Sequence, residues 1–200
     1  MTTLGYAILG LVATKPRTGY EIAQLMRKPI GYMWTAQHSQ IYPELARLAD
    51  TGLLRPTVIK GRGPRDTKRY TITAAGRRAL QAWVDSPLVE TARSELLLRI
   101  RSLWLVSPTR AQAFLSEQRQ RYADRLATYH DEELNFATHA TELSDPTTPA
   151  FGEYATLRYG ITRVRATITW LDWLSDQLTA ATQERATTSR TLDRSATSGT

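Results

Sequence analysis

Apolar positions recur at helical spacing over most of the chain and give way to alternation in one place near its middle. Leu4, Ala7, Ile8 and Leu11 predict a helix over residues 3–14, ended by Lys15-Pro16. Thr18-Gly19-Tyr20-Glu21 has the spacing of a capping box, in which Thr18 accepts from the backbone of Glu21 and Glu21 reaches back. The helix that follows carries Ile22, Leu25 and Met26 as its buried stripe, and Pro29 and Gly31 break it. The apolar loop 30–34 is expected to pack on the core. A third helix is predicted to start within residues 36–39, with Ile41, Leu45 and Leu48 facing inward. Pro43 lacks an N–H and so belongs in or near its first turn, and Gly52 is a natural stop. Residues 53–60 and 67–73 read as strands joined by a turn over 61–66, and Thr73 caps a fourth helix bearing Ala79, Leu80 and Trp83. Three helices, a hairpin and another helix make a winged helix-turn-helix over residues 1–86.

The second half reads as wholly helical. Ser86-Pro87 closes the first module, and Leu96, Leu97, Ile100 and Leu103-Trp104 predict a short apolar helix. Ser107-Pro108 starts a longer one reaching about residue 141, on which Leu115, Tyr122, Tyr129 and Phe136 stand seven apart. Residues 145–149 are a linker. The last helix carries Tyr154, Leu157, Ile161, Val164, Ile168, Leu171 and Leu178 at heptad spacing, with Ser175 the one polar entry. At about 30 residues it spans about 45 Å. So long a seam wants a partner helix, from its own chain or from a second copy, and a dimer seam is the expectation favoured. Residues 183–200 turn to Thr, Ser, Arg and Gln and are expected to be a disordered tail. The fold class is therefore mainly α, with a DNA-binding-type module at 1–86 and a helical dimerisation or effector domain at 87–182.

Charge sharpens this division. Residues 1–86 hold 13 Lys and Arg against 5 Asp and Glu, or +8, and residues 87–200 hold 13 against 14, or −1, which gives the net charge of +7. A basic N-terminal half favours a polyanionic partner, although moderate positive charge also serves solubility. With no cysteine, the chain has no disulfide, thiolate chemistry or Cys-based zinc site. No signal peptide or uncharged span suited to a membrane is visible, so a cytoplasmic protein is expected. His130 and His139 are nine apart on one helix and do not share a face, and His38 stands alone. Gly61-Arg62-Gly63 is not followed by a phosphate-loop or dinucleotide-binding context. No catalytic constellation, metal site or cofactor is expected.

The N-terminal residues resemble the PadR-type transcriptional regulators. The resemblance is carried by Leu4-Gly5-Tyr6-Ala7-Ile8-Leu9-Gly10-Leu11, Thr18-Gly19-Tyr20-Glu21-Ile22, Trp34 and Ser39-Gln40-Ile41-Tyr42-Pro43-Glu44-Leu45. Leu48, Gly52-Leu53-Leu54, Lys68-Arg69-Tyr70-Thr71-Ile72-Thr73 and Gly76 complete it, in family order. The helical C-terminal half resembles the longer subgroup, related to the virulence activator fold, by pattern more than by motif. The resemblance implies a dimeric repressor with an effector-responsive C-terminal domain.

Expected contacts to DNA follow from the third helix and the hairpin. With Ile41, Leu45 and Leu48 inward, Ala36, Ser39, Pro43 and Ala46 point outward, and all are small, which lets the helix approach a groove floor. Thr35, Gln37, Gln40 and Tyr42 flank this face. Gln40 suits an adenine edge, Ser39 a base or phosphate, and Tyr42 a phosphate or thymine methyl. A solvated first turn would look the same from composition alone. Lys60, Arg62, Arg65 and Lys68 surround the hairpin turn and suit phosphates; a solvated basic loop is the plain alternative. The family pattern adds Tyr20 as a phosphate contact, with half-buried packing as the alternative, while Tyr70 is expected to pack under the wing. Trp104, Tyr122, Tyr129, Trp170 and Trp173 are the candidate effector-binding residues for an apolar or phenolic small molecule, although aromatic stripes at helical spacing more often form plain core. The expected partners are thus a pseudo-palindromic duplex, a second copy and such an effector. A protein-binding adaptor with secondary DNA binding is the alternative function.

Overall fold

The computed structural model describes residues 1–27, 38–59, 67–88, 94–136 and 143–197. The loop 30–34, Thr35, Ala36, Gln37, Lys60, Arg62 and Arg65 lie outside the described residues. The chain divides into two units, Met1–Glu90 and Thr91–Thr200.

In the first unit the order is α1 (Thr3–Thr14), β1 (Arg17–Thr18), α2 (Gly19–Arg27), α3 (His38–Asp50), β2 (Leu54–Ile59), β3 (Thr67–Ile72) and α4 (Ala74–Val84). The capping box forms in both directions: Thr18 N donates to Glu21 Oε2 at 2.6 Å and Glu21 N donates to Thr18 Oγ1 at 3.2 Å. Gly52, at φ +72°, ends α3, where Gly52 N donates to the Ala49 carbonyl and Leu53 N to the Leu48 carbonyl. Thr73 caps α4 by accepting from Gly76 N at 3.0 Å, and its hydroxyl donates to the Gly52 carbonyl, tying the helix to the base of the hairpin. The C-terminal carbonyls of α1 receive guanidinium donors, from Arg17 to Leu11 and from Arg77 to Ala13.

The sheet has the order β1-β3-β2, all antiparallel, with Leu54 opposite Ile72 and Ile59 opposite Thr67. The two-residue strand β1 is an addition to the expected hairpin; it pairs Arg17 with Tyr70 and Thr18 with Arg69. Ile8, Leu9, Ile22, Ile41, Leu45, Leu48, Leu54 and Ile72 form the core, and Tyr70 is buried with them as expected. On α4 the expected stripe is shallow: Ala79 and Leu80 are half-buried, and Trp83 stacks on Tyr6 with ring centroids 4.6 Å apart.

The second unit contains α5 (Glu95–Arg101), a 3₁₀ turn (Leu103–Leu105), α6 (Pro108–Phe136) and α7 (Pro149–Thr197). The last two form an antiparallel pair, with Gln112 bonded to Ser175, Arg119 to Asp172, and Glu133 to Arg158. Ser175, the polar entry in the heptad, thus has its partner on α6. Leu157, Ile161, Val164 and Leu171 are buried within the single chain, and Tyr154, Ile168 and Leu178 are half-buried, with Tyr154 beside Phe136 at 5.7 Å. Within the chain, the stripe expected to form a dimerisation seam packs against α6. α7 also runs on through most of the segment expected to be a tail. No Pro or Gly stands between Gly160 and Gly199, and once the first turns of α7 are held by packing each added residue gains a backbone hydrogen bond, so the helix continues to Thr197.

Candidate nucleic-acid interface

The first described turns of α3 divide sharply by burial. Ile41, Glu44, Leu45 and Leu48 face the core; Ser39, Gln40, Tyr42, Pro43 and Ala46 are exposed. The outward face is uncharged, and small except for Gln40 and Tyr42, of which Tyr42 is 45 % exposed. Its ring is held by α2: a Cβ added at Gly19 would lie 2.8 Å from Tyr42 Cε1, so only glycine lets the two helices sit this close. Pro43 is the sixth residue of described α3, farther in than the first turn, and cannot offer an N–H to the carbonyl of Ser39. Tyr20, at the start of α2, is 64 % exposed, and its hydroxyl accepts from Gln24 Nε2 at 2.7 Å.

A polar anchor that sequence reasoning missed holds the middle of α3. Glu44 is 8 % exposed and accepts from Arg47 Nε at 2.8 Å, from Arg47 Nη2 at 2.6 Å and from the Thr2 hydroxyl. Thr2 also caps α1, so one carboxylate joins the start of α1 to the middle of α3. The Arg47 hydrogen bonds hold the Glu44 carboxyl below the usual glutamate range against the opposing effect of burial. The signal in the sequence was the Glu-x-x-Arg spacing, which places the pair on one helix face.

The hairpin brings further cations beside α3. Lys68 is exposed and lies on the face of β3 that carries Tyr70 and Ile72, beyond the edge of the core. Arg69 is exposed on the other face, opposite Thr57, and Arg55 shares that face opposite Thr71. Arg55 was not anticipated; two-residue alternation in the strand identifies it. Hydrogen bonds from Thr18, with smaller contributions from Arg69 and Arg17, lower the Glu21 carboxyl, so Glu21 offsets part of the charge at the strand's inner end.

The five aromatic residues expected to bind an effector differ in burial. Tyr129 is 1 % exposed and packed on Gly160, Tyr122 and Trp170 are half-buried, and Trp104 and Trp173 are exposed. None of the five lines the cleft of about 430 Å³ between the start of α6 and α7, which is walled by Pro108, Gln112, Ser116, Leu178, Thr179 and Thr182 among others. Helical spacing put Tyr129 into interhelical packing, where its ring fills the space a side chain at 160 would take.

Residues 8–82 match the family described as Transcriptional regulator PadR-like family, and residues 92–179 match Virulence activator alpha C-term. The Negative transcriptional regulator PadR of Bacillus subtilis (strain 168) is 31 % identical over 175 residues, covering 86 % of this chain and 95 % of that protein. The chain belongs to the PadR-like family of transcriptional regulators. Its fold agrees with solved members. Bacillus subtilis PadR in complex with operator DNA superposes with a TM-score of 0.76 at 27 % identity, over 88 % of this chain and 99 % of that one. The same protein in complex with p-coumaric acid gives 0.66 at 28 % identity, over 88 % and 99 %. The Vibrio cholerae virulence activator AphA gives 0.68 at 29 % identity, over 90 % and 99 %. This PadR-like chain is thus a DNA-binding transcriptional regulator of winged-helix fold and not an enzyme. Among the described residues no helix is long and apolar enough to cross a membrane.

Proposed function

We propose that this PadR-like regulator is a homodimeric cytoplasmic repressor that reads a pseudo-palindromic operator through α3 and is released by a small apolar or phenolic molecule. The observation that carries the reading is the exposed, small and uncharged start of α3 beside an exposed cationic strand. A helix of that shape enters the major groove, where Gln40 and Ser39 meet base edges. Lys68, with Lys60, Arg62 and Arg65 of the hairpin, neutralises phosphates. Tyr20, Tyr42 and Pro43, with Thr35, Ala36 and Gln37, complete the DNA-facing set. Residues 1–86 are the DNA-binding domain and 87–182 the dimerisation and effector domain.

The repressor and effector parts of the reading lean on Bacillus subtilis PadR, which is named a negative regulator and has been solved with p-coumaric acid. An effector acts by preferring a dimer whose recognition helices are wrongly spaced, and linkage requires that DNA weaken effector binding by the same factor. The test is fluorescence anisotropy on a duplex over a range of salt. The slope of log affinity against log salt is expected to fall by about 0.9 for each phosphate contact removed, as in Lys68→Ala. A slope unchanged by Lys68→Ala would remove the wing from the interface.

A further inference from the structure

We infer that Gln24 is a positioning residue for DNA binding: it holds the Tyr20 hydroxyl as a hydrogen-bond donor to a phosphate of the duplex that α3 enters. The inference rests on the operator reading above and deepens it, because it gives α2 a backbone contact that carries no charge.

Tyr20 and Gln24 stand four apart on one face of α2, and both are exposed, while Ile22, Ala23 and Met26 turn to the core. Gln24 Nε2 donates to Tyr20 Oη at 2.7 Å. A phenol oxygen can accept as well as donate its one hydrogen. Conjugation keeps that hydrogen near the ring plane, on one side of the oxygen or the other. With an N–H arriving from Gln24, the hydrogen is left on the side away from it. A phosphate oxygen only accepts, so a hydroxyl that already accepts from Gln24 is in the form that binds it. The same bond restrains a ring that is 64 % exposed, and a donor fixed before binding loses less freedom on binding.

The start of α2 explains why a side chain supplies this donor. A helix N-terminus offers backbone N–H groups to anions. Here the Glu21 carboxylate sits at that end, accepting from Thr18 N and from the Thr18 hydroxyl. These hydrogen bonds hold the Glu21 carboxyl below the usual glutamate range, so its negative charge turns a phosphate away from the helix end. Tyr20 reaches beyond it. Gly19 packs against the Tyr42 ring of α3, so the next residue starts beside the outward side of the recognition helix. In a helix-turn-helix the first helix of the pair crosses the sugar-phosphate backbone while the second enters the groove.

The test is a double-mutant cycle on the full chain. Fluorescence anisotropy is measured over a range of salt on a duplex that the wild type selects from random sequences. Tyr20→Phe is expected to weaken binding about tenfold per half-site and Gln24→Ala about threefold. Added to Tyr20→Phe, Gln24→Ala is expected to cost nothing further. Plots of log affinity against log salt should drop in parallel, because a neutral donor releases no counterion, in contrast to Lys68→Ala. The selected site and the thermal midpoint of each variant should match wild type, which a merely structural role would not allow. Gln24→Glu keeps the length but only accepts, so it takes the Tyr20 hydrogen and should weaken binding at least as much as Tyr20→Phe. Wild-type affinity in Gln24→Ala or Gln24→Glu overturns the inference, as does a Gln24→Ala loss that persists in full beside Tyr20→Phe. Tyr20→Phe without loss overturns it too and leaves α3 and the wing as the interface. A wild-type chain that selects no duplex overturns the inference together with the operator reading.

Discussion

Replacing Glu44 with Gln tests whether one carboxylate holds the recognition helix in place. Glu44→Gln keeps the shape but removes the charge and one of two acceptor oxygens. Three hydrogen bonds converge on the carboxylate, two from the Arg47 guanidinium and one from the Thr2 hydroxyl. A hydrogen bond to a charged group contributes about 1.5–3 kcal/mol net, but the Arg47 side chain is 40 % exposed and solvent screens the pair. The expected loss is about 1–2 kcal/mol, and each kcal/mol corresponds to about 4–8 °C in Tm for a unit of this size. Because hydrogen bonding from Arg47 depresses the folded-state pKa of Glu44, its contribution is present above the unfolded value and is lost as pH falls through the folded one. The gap between wild type and Glu44→Gln, measured by urea denaturation, should be full above about pH 5 and shrink as pH drops below the ordinary value of 4.5. A gap that is the same at pH 7 and at pH 3 would refute the charge-based reasoning and leave only shape.

Other expectations follow from close packing and capping. Gly160→Ala puts a Cβ 2.9 Å from the buried Tyr129 ring and is expected to destabilise by about 1–2 kcal/mol in thermal melts, the clash exceeding the gain in helix propensity. Gly10→Ala, with nothing within 4 Å of the new atom, should instead stabilise by up to about 1 kcal/mol. Thr18→Ala removes the hydroxyl that accepts from Glu21 N and donates to Glu21 Oε2, keeps the backbone half of the capping box, and should cost about 0.5–2 kcal/mol by urea denaturation. The Glu21 carboxyl should then rise only part of the way toward 4.5 by NMR, because the backbone hydrogen bond from residue 18, the largest cause of its lowering, stays while the side-chain hydrogen bond is lost.

The winged module was legible because each of its elements carries a local signature. Thr18 with Glu21, Thr73 and Gly52 mark ends by side-chain and backbone chemistry that needs no distant partner. The strand β1 was not legible: two residues make no alternation, and Arg17 and Thr18 are recruited by backbone pairing to Tyr70 and Arg69. The heptad on α7 revealed a buried face but not its occupant, because a period of 3.5 is the same whether the facing helix belongs to one chain or two. Tyr129 was open to pocket or core for a like reason, and its ring packs where Gly160 lacks a side chain. Exposure of Ser39 and Gln40 followed from helical geometry alone, whereas the Glu44 anchor depends on Thr2, 42 residues away.

The central claim, that the exposed start of α3 reads bases, is tested most directly by selecting preferred sites from random duplexes with wild type and with Gln40→Ala. The account expects wild type to enrich an inverted repeat and Gln40→Ala to lose preference at one base pair in each half-site, a change of about 1–3 kcal/mol at that pair, with the rest of the site retained. Identical selected sites for both proteins, or no enriched repeat with wild type, would contradict it.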